Sequence, residues 1–246
     1  MPSYATIMLI VNAGLILHAL KTGRFWPWFW VILMLPGIGA FAYVAMELAP
    51  EFMGSRGAQK AQGQLARAVD PKRRYRELAD NLAISDTIVN RVALARECLE
   101  LEKYEEALTI LTGVVAHPQG DEPAFFIDKA RAEFCLAKYD EALATLDEVK
   151  HHWPDYQSND GQLLYARALE ELGRDEEAEK EYRALAGSYP GVEPRVRLAR
   201  VLQRRGQANE AKVLAQNVVT EMRRSPKHVV KPQSDWLKMA ENIARS

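Results

Sequence analysis

The stretch Tyr104-Glu105-Glu106-Ala107 decides the fold, because related tetrapeptides follow it at a regular spacing. The later copies are Tyr139-Asp140-Glu141-Ala142, Asp175-Glu176-Glu177-Ala178 and Ala208-Asn209-Glu210-Ala211. Their final alanines lie 35, 36 and 33 residues apart along the chain. A period of about 20 to 50 residues is typical of repeat architectures, in which each unit stacks on the next. We therefore predict four stacked repeats over residues 86–226.

A second row of alanines supports this prediction. When the final alanine of each tetrapeptide is numbered position 20, position 8 is also alanine in every repeat: Ala95, Ala130, Ala166 and Ala199. Small side chains at both positions let two helices approach closely, and the apolar face of one helix pair is then covered by the next pair. Position 15, the expected turn, is Gly173 and Gly206 in the last two repeats, as a helix C-terminus favours, but Glu102 and Ala137 in the first two.

This pattern resembles the tetratricopeptide repeat (TPR), whose period is about 34 residues. The resemblance extends from Asp86 to Pro226 and includes prolines at position 32, Pro154 and Pro190. The chain departs from the family pattern at position 4, where the four repeats have Arg91, Phe126, Gln162 and Arg195 and none has tryptophan. The resemblance implies an all-α solenoid of divergent repeats that binds a protein or peptide partner.

The N-terminal region has a different composition. Before position 49 its charged residues are Lys21, Arg24 and Glu47. Two apolar runs, residues 3–20 and 25–48, are each long enough to cross the hydrocarbon core of a bilayer, and the segment between them is too short to cross back. A cleaved signal peptide is disfavoured because no lysine or arginine precedes the first run. We predict a transmembrane helical hairpin over residues 1–52.

The second apolar run contains Pro36, Gly39 and Tyr43 in a P-x-x-G-x-x-x-Y arrangement. This resembles the N-terminal membrane hairpin of cardiolipin synthases and other phospholipase D-type proteins. The catalytic part of those proteins needs an H-x-K-x(4)-D motif, and none of the five histidines is followed two residues later by lysine. We expect the hairpin to be present here without that enzyme.

Basic residues follow the second apolar run, namely Arg56, Lys60, Arg67, Lys72, Arg73, Arg74 and Arg76. Because positive charge concentrates on the cytoplasmic side of membrane segments, we expect the repeats to lie in the cytoplasm of a bacterial inner-membrane protein. The same cluster is suited to contacts with anionic lipid headgroups.

Residues 53–85 are predicted to form a juxtamembrane basic linker and leading helices. Asp70 and Pro71 read as a helix N-cap and first helical residue, opening a helix through about Ala83. Residues 227–246 are predicted to form a C-terminal capping helix with an inner face of Trp236, Leu237, Met239, Ala240 and Ile243. An end-to-end dimer through Trp236 is the alternative.

Charge and motif content argue against other functions. After residue 49 the chain carries 30 basic and 32 acidic residues, which disfavours nucleic-acid binding. Cys98 and Cys135 lack the neighbours of a metal or redox motif and are predicted to be reduced core thiols, although a disulfide between them stays open. The scattered histidines do not indicate a metal site, and no catalytic or cofactor-binding motif is present. We expect a protein that is not an enzyme and has no cofactor.

Position 9 is arginine in every repeat, and we call these four residues the arginine ladder: Arg96, Arg131, Arg167 and Arg200. The TPR resemblance implies that positions 2, 5, 9, 12 and 13 face a concave groove. The predicted apolar floor of that groove consists of Val92, Ile127, Leu163 and Val196 at position 5, with Leu99 and Phe134 at position 12.

A guanidinium is suited to carboxylates, so we expect the ladder to bind an acidic and apolar peptide or a free C-terminus. The structural alternative is that the arginines are paired within the chain, and Glu100 and Glu171 lie four residues after Arg96 and Arg167. Arg131 and Arg200 lack such a partner and should be the most available. Two functions stay open: a membrane-tethered TPR scaffold, and an accessory subunit of phospholipid-synthesis machinery.

Overall fold

A computed structural model describes residues 70–245 and, upstream of them, positions 15, 16, 21, 30, 31, 34, 38–43 and 46. The chain divides into two compact units, Met1–Arg73 and Arg74–Ser246. The upstream unit includes a short helix, Ile38–Tyr43. Most of the predicted hairpin, and the linker before residue 70, lie outside the described residues. Within the described residues, no helix is both long and apolar enough to cross a membrane.

Every regular element in residues 70–245 is helical. The long helices are α1 (Arg73–Ile84), α2 (Ile88–Glu100), α3 (Tyr104–Val115), α4 (Pro123–Cys135), α5 (Tyr139–His152), α6 (Asn159–Glu171), α7 (Asp175–Leu185), α8 (Glu193–Arg204), α9 (Ala208–Arg224) and α10 (Ser234–Arg245). Short helical turns at Pro118–Gly120, Lys227–Val230 and Lys231–Gln233 lie in the connections.

Helices α2 to α9 form four consecutive pairs, in which each helix packs against the next helix in the chain. The first helices of successive pairs also touch, α2 against α4 and α4 against α6. Side-chain caps define two of the helix starts: Thr87 Oγ1 accepts from the Asn90 N–H at 3.2 Å, and Ser158 Oγ from the Gly161 N–H at 3.0 Å. The predicted all-α solenoid is confirmed.

The alanines that revealed the repeat are buried within the helical stack. At position 8 and at position 20 every one of them has no exposed surface: Ala95, Ala130, Ala166, Ala199, Ala107, Ala142, Ala178 and Ala211. The apolar residues at position 24 are buried beside them: Leu111, Leu146, Tyr182 and Ala215. A larger side chain at positions 8 or 20 would push the paired helices apart, which explains the sequence requirement.

Position 15 adopts the left-handed backbone conformation in all four repeats. The φ angles are +72° at Gly173 and +78° at Gly206, and +58° at Glu102 and +57° at Ala137. This conformation suits glycine and costs other L-residues about 1–2 kcal/mol. The first two repeats therefore use the same turn as the last two, but with backbone strain.

Helices α1 and α10 cover the two ends of the stack. On α1, Tyr75, Leu78, Ala79 and Leu82 pack against the first repeat. On α10, Ala240 and Ile243 are buried against the last repeat. Trp236 of α10 packs on the same core, with its ring centroid 4.9 Å from the Arg197 guanidinium carbon. Trp236 is thus engaged within the chain, which argues against its use as the contact of an end-to-end dimer.

The two cysteines differ in exposure. Cys98 has no exposed surface, as expected of a core thiol, and both thiols are free. The prediction was wrong for Cys135, which is exposed at the end of α4. Cys135 occupies position 13 of its repeat, and the TPR resemblance assigns that position to the open side of the first helix.

Candidate functional site

A cavity of about 330 Å³ opens along the first helices of the repeats, and we call it the arginine cavity. It brings together three members of the arginine ladder, Arg96, Arg131 and Arg167. Position 5 contributes Ile127 and Leu163 to its wall, and position 2 contributes Ala124, Asp160 and Glu193. Residues at positions 2, 5 and 9 therefore share one concave surface across repeats 1 to 4.

The members of the ladder differ in their pairing. Arg96 Nε donates to Asp128 Oδ2 at 2.7 Å, across to the next repeat. Arg167 Nε lies 4.0 Å from Glu193 Oε1, too far for a hydrogen bond, and this buried nitrogen has no partner among the described residues. An unsatisfied buried donor costs about 1–3 kcal/mol. Arg131 is exposed and forms no ion pair or hydrogen bond with the part of the chain that is described.

Arg200 is not available, contrary to the prediction. Its Nε and Nη2 donate to Glu170 Oε1 at 2.9 and 2.6 Å. Glu170 lies thirty residues earlier, on the first helix of the preceding repeat. The expected partners Glu100 and Glu171 are exposed, and Arg96 and Arg167 instead face carboxylates of the following repeat.

Glu170 is the centre of a buried cluster, since only 2% of its side chain is exposed. Besides Arg200, Arg204 Nη1 donates to Oε1 at 3.1 Å, and Oε2 accepts from Tyr182 Oη at 2.7 Å and from Arg197 Nη1 at 3.1 Å. Burial alone would raise the pKa of Glu170, but the hydrogen bonds from Tyr182 and Arg200, together with the charges of Arg200 and Arg197, outweigh it and the pKa is lowered. Glu170 is therefore ionised and fixes the position of three arginines.

Half of the predicted apolar floor is core. Val92, Leu99 and Val196 are buried and are not among the residues that line the arginine cavity. Phe134 is half-buried and lies under the Arg167 guanidinium, 4.7 Å from ring centroid to Cζ. Ile127 and Leu163 are the floor residues that reach the arginine cavity.

A second cavity, of about 370 Å³, lies between repeats 2 and 3, and we call it the seam cavity. Leu146, Val149 and Tyr165 contribute apolar wall, and it shares Ile127, Tyr156 and Ser158 with the arginine cavity. Lys150 lies over the Tyr165 ring, 3.2 Å from its centroid, and 3.4 Å from Glu181 Oε1. Burial, with a smaller contribution from Asp147, raises the pKa of Tyr165 to about 12.

Sequence reasoning missed several residues of these cavities. Asp160 and Glu193 are at position 2, which the TPR resemblance assigns to the groove, so the resemblance together with the register could have identified them. Tyr156 and Tyr189 lie in the connections between repeats, where the period carries no information. Within the described residues, no group of three His, Cys, Asp or Glu side chains could hold a metal ion.

One family match and one solved structure agree with this fold. Residues 160–191 match the tetratricopeptide repeat family. The structure is similar to the crystal structure of a thermophilic TPR protein of Thermus thermophilus, with a TM-score of 0.56, 16% identity, and coverage of 76% of this chain and 97% of that chain. A second likeness is to a crystal structure of nearly identical TPR-like repeats from a kinesin light chain of Podosopora anserina, with a TM-score of 0.48 and 20% identity. It covers 63% of this chain and 94% of that chain. No curated protein sequence matches the chain.

Proposed function

We propose that this chain is a non-catalytic scaffold that binds a segment of another protein in its concave groove and is tethered to a membrane by its N-terminal hairpin. The observation that carries the binding role is the arginine cavity, a concave site on a TPR-type solenoid with an exposed and unpaired cation, Arg131. A solenoid of this kind presents an extended surface that suits a peptide or a protein segment.

The unpaired guanidinium of Arg131 supports an acidic or carboxylate-bearing partner. Asp128 already accepts from Arg96, and Glu193 accepts from Arg197 Nε at 2.8 Å. Arg131 has no acceptor among the described residues, so a partner carboxylate would gain a planar guanidinium without displacing an internal pair. Glu170, outside this cavity, is already occupied by structural arginines.

The exposure of apolar side chains upstream of the solenoid supports the membrane tether. Trp30, Met34, Ile38 and Phe41 are helical positions with 50%, 73%, 71% and 75% of their surface exposed. Large exposed apolar surface indicates a membrane or protein contact, and the low charge of the surrounding sequence favours the bilayer.

The test of binding is co-purification from mild detergent with the full chain and two charge reversals. Arg131→Glu should lose the bound partner by at least about tenfold, because a like charge then faces the partner carboxylate. Lys180→Glu is the matched control, since Lys180 is an exposed residue on α7 outside both cavities, and it should retain the partner. Equal recovery with both variants, at unchanged melting temperature, would remove the groove from the binding role.

The same experiment addresses the second candidate, an accessory subunit of phospholipid-synthesis machinery, which rests on Pro36, Gly39 and Tyr43. A lipid-synthesis enzyme recovered in stoichiometric amount would favour it. Any other protein, lost on Arg131→Glu, would favour the general scaffold.

Membrane topology has a separate test in intact cells. Because Cys135 is exposed and Cys98 is buried, introduced cysteine probes need a Cys135→Ser background. Thr22→Cys in the hairpin loop should react with an impermeant maleimide, whereas Lys238→Cys, at a side chain 74% exposed on α10, should react only after lysis. The reverse pattern would place the repeats outside the cytoplasm.

A further inference from the structure

The ladder arginines of repeats 1 and 3 face a carboxylate on the first helix of the next repeat, but the ladder arginine of repeat 2 does not. Arg96 meets Asp128 and Arg167 faces Glu193. The corresponding carboxylate for Arg131 is Asp160, which lines the same cavity. Asp160 instead accepts a long hydrogen bond from Tyr189 Oη at 3.4 Å. The seam between repeats 2 and 3 therefore leaves one guanidinium without its counterpart.

The adjacent guanidinium, of Arg167, is also incompletely satisfied. Its Nε is buried without a hydrogen-bond partner in the described part of the chain, and Glu193 is engaged more closely by Arg197, at 2.8 Å. The Phe134 ring under the Arg167 guanidinium holds the group at the wall of the arginine cavity. The lining carries three arginines and three carboxylates, so its formal charges balance, but Arg131 and the buried Arg167 Nε have no acceptor among the described residues.

The seam cavity continues from this point. It shares Ile127, Tyr156 and Ser158 with the arginine cavity, so one extended segment can occupy both. Its polar wall is internally paired, since Gln162 Nε2 donates to Glu181 Oε2 at 3.1 Å and Lys150 approaches the same carboxylate. Ile127, Leu146, Val149 and the Tyr165 ring supply apolar wall, so the seam cavity can take an apolar side chain.

We infer that the two cavities form one recognition site at the junction of repeats 2 and 3 for an extended protein segment with an internal acidic residue close to a large apolar residue. The acidic side chain binds between Arg131 and Arg167 and supplies the missing acceptor. The apolar side chain enters the seam cavity beside Ile127. This deepens the proposed function and rests on it, since it specifies the chemistry of the segment that the groove binds.

The test is selection from a random peptide library displayed on phage, with each peptide joined to the coat protein at its C-terminus so that no free carboxylate is offered. The target is the purified full chain in detergent, and Lys180→Glu is the control target. We expect enriched peptides to combine Asp or Glu with Leu, Ile or Phe at a fixed spacing. A consensus without an acidic residue, or no enrichment, would overturn the inference.

A charge exchange then locates the acidic residue. An enriched peptide made synthetically should lose at least about tenfold in affinity for Arg131→Glu, and replacing its acidic residue by lysine should restore binding to that variant but not to wild type. Absence of this rescue would also overturn the inference.

Ile127→Ala should enlarge the seam cavity, so the peptides selected from the library should carry larger apolar residues. An unchanged preference would place the apolar residue elsewhere and overturn the two-cavity site.

The outcome is separable from that of the proposed function. Selected peptides of another chemistry would refute the acidic and apolar specificity, although the scaffold would still bind protein. The same conclusion would follow if a natural partner bound the double variant, Arg131→Glu with Arg167→Lys, with unchanged affinity. If the wild-type chain recovered no protein partner, the scaffold function itself would be refuted.

Discussion

Replacing Glu170 by glutamine should destabilise the solenoid more than any other conservative change of a carboxylate in repeats 3 and 4. The change removes the charge at the centre of the cluster and exchanges one acceptor oxygen for an NH₂ group that faces donors. Removing one partner from a buried ion pair typically costs about 3–5 kcal/mol. Arg197 retains Glu193 and Arg204 retains Asp175, and Arg200 and Arg204 are 35% and 40% exposed, so water screens part of the loss.

We therefore expect the low end of that range, about 3 kcal/mol, which corresponds to a fall in melting temperature of roughly 6–12 °C for a domain of this size. Thermal unfolding of the full chain in detergent, followed by far-ultraviolet circular dichroism, measures it. Glu171→Gln is the matched control, since Glu171 is the exposed neighbour and its change should stay within about 0.5 kcal/mol of wild type.

The pH dependence provides an internal check. Folding lowers the pKa of Glu170. Its contribution to folding stability is therefore complete above the ordinary carboxyl pKa of 4.5 and is lost as the pH falls through the lower pKa of the folded state. The difference in melting temperature between wild type and Glu170→Gln should be largest at neutral pH and should shrink in acid below about pH 4.5. Equal melting of the Glu170 and Glu171 variants at neutral pH would refute the reasoning.

Three further predictions concern the turns and the thiols. Ala137→Gly should stabilise the protein by about 0.5–1 kcal/mol in urea unfolding, since relief of the left-handed strain exceeds the added entropy of the unfolded chain, and Gly173→Ala should have the opposite effect. A destabilised Ala137→Gly would show that the turn is not strained. Gly120→Ala should destabilise by about 1–3 kcal/mol, because its Cβ would lie 1.8 Å from a backbone oxygen of α3, and a neutral result would mean that this connection relaxes. At pH 8 a maleimide should label Cys135 in the folded protein but not Cys98, because Cys98 is buried and burial raises the pKa of its thiol to about 11. Peptide mapping that finds Cys98 labelled without denaturant would contradict this burial.

The repeat architecture could be predicted from the sequence because its cause is local and periodic. Alanine at positions 8 and 20 is required wherever two helices approach closely, so the period of the contact appears directly in the chain. The TPR resemblance, applied in this register, implies which positions share a concave surface, and Ile127 and Arg131 are examples in the arginine cavity. The position of a residue within its repeat is therefore what predicted most of the fold and of the groove.

Ion pairing could not be predicted in the same way. The expectation for Arg200 considered carboxylates one helical turn away, whereas its partner Glu170 lies on the preceding repeat. Which carboxylate a long side chain reaches depends on how successive repeats rotate, and that rotation has no signature in the period. The burial of Val196 is similar, since it depends on the packing of the last repeat and α10 onto one core.

The left-handed turns at Glu102 and Ala137 have a consequence for how the solenoid opens. In a linear array the stability of each repeat adds to its coupling with neighbours, so unequal repeats unfold in sequence rather than at once. The two strained turns weaken repeats 1 and 2, whereas glycine turns and the Glu170 cluster strengthen repeats 3 and 4. Amide hydrogen exchange should therefore report two cooperative blocks, with α2 to α5 exchanging first while α6 to α10 stay protected.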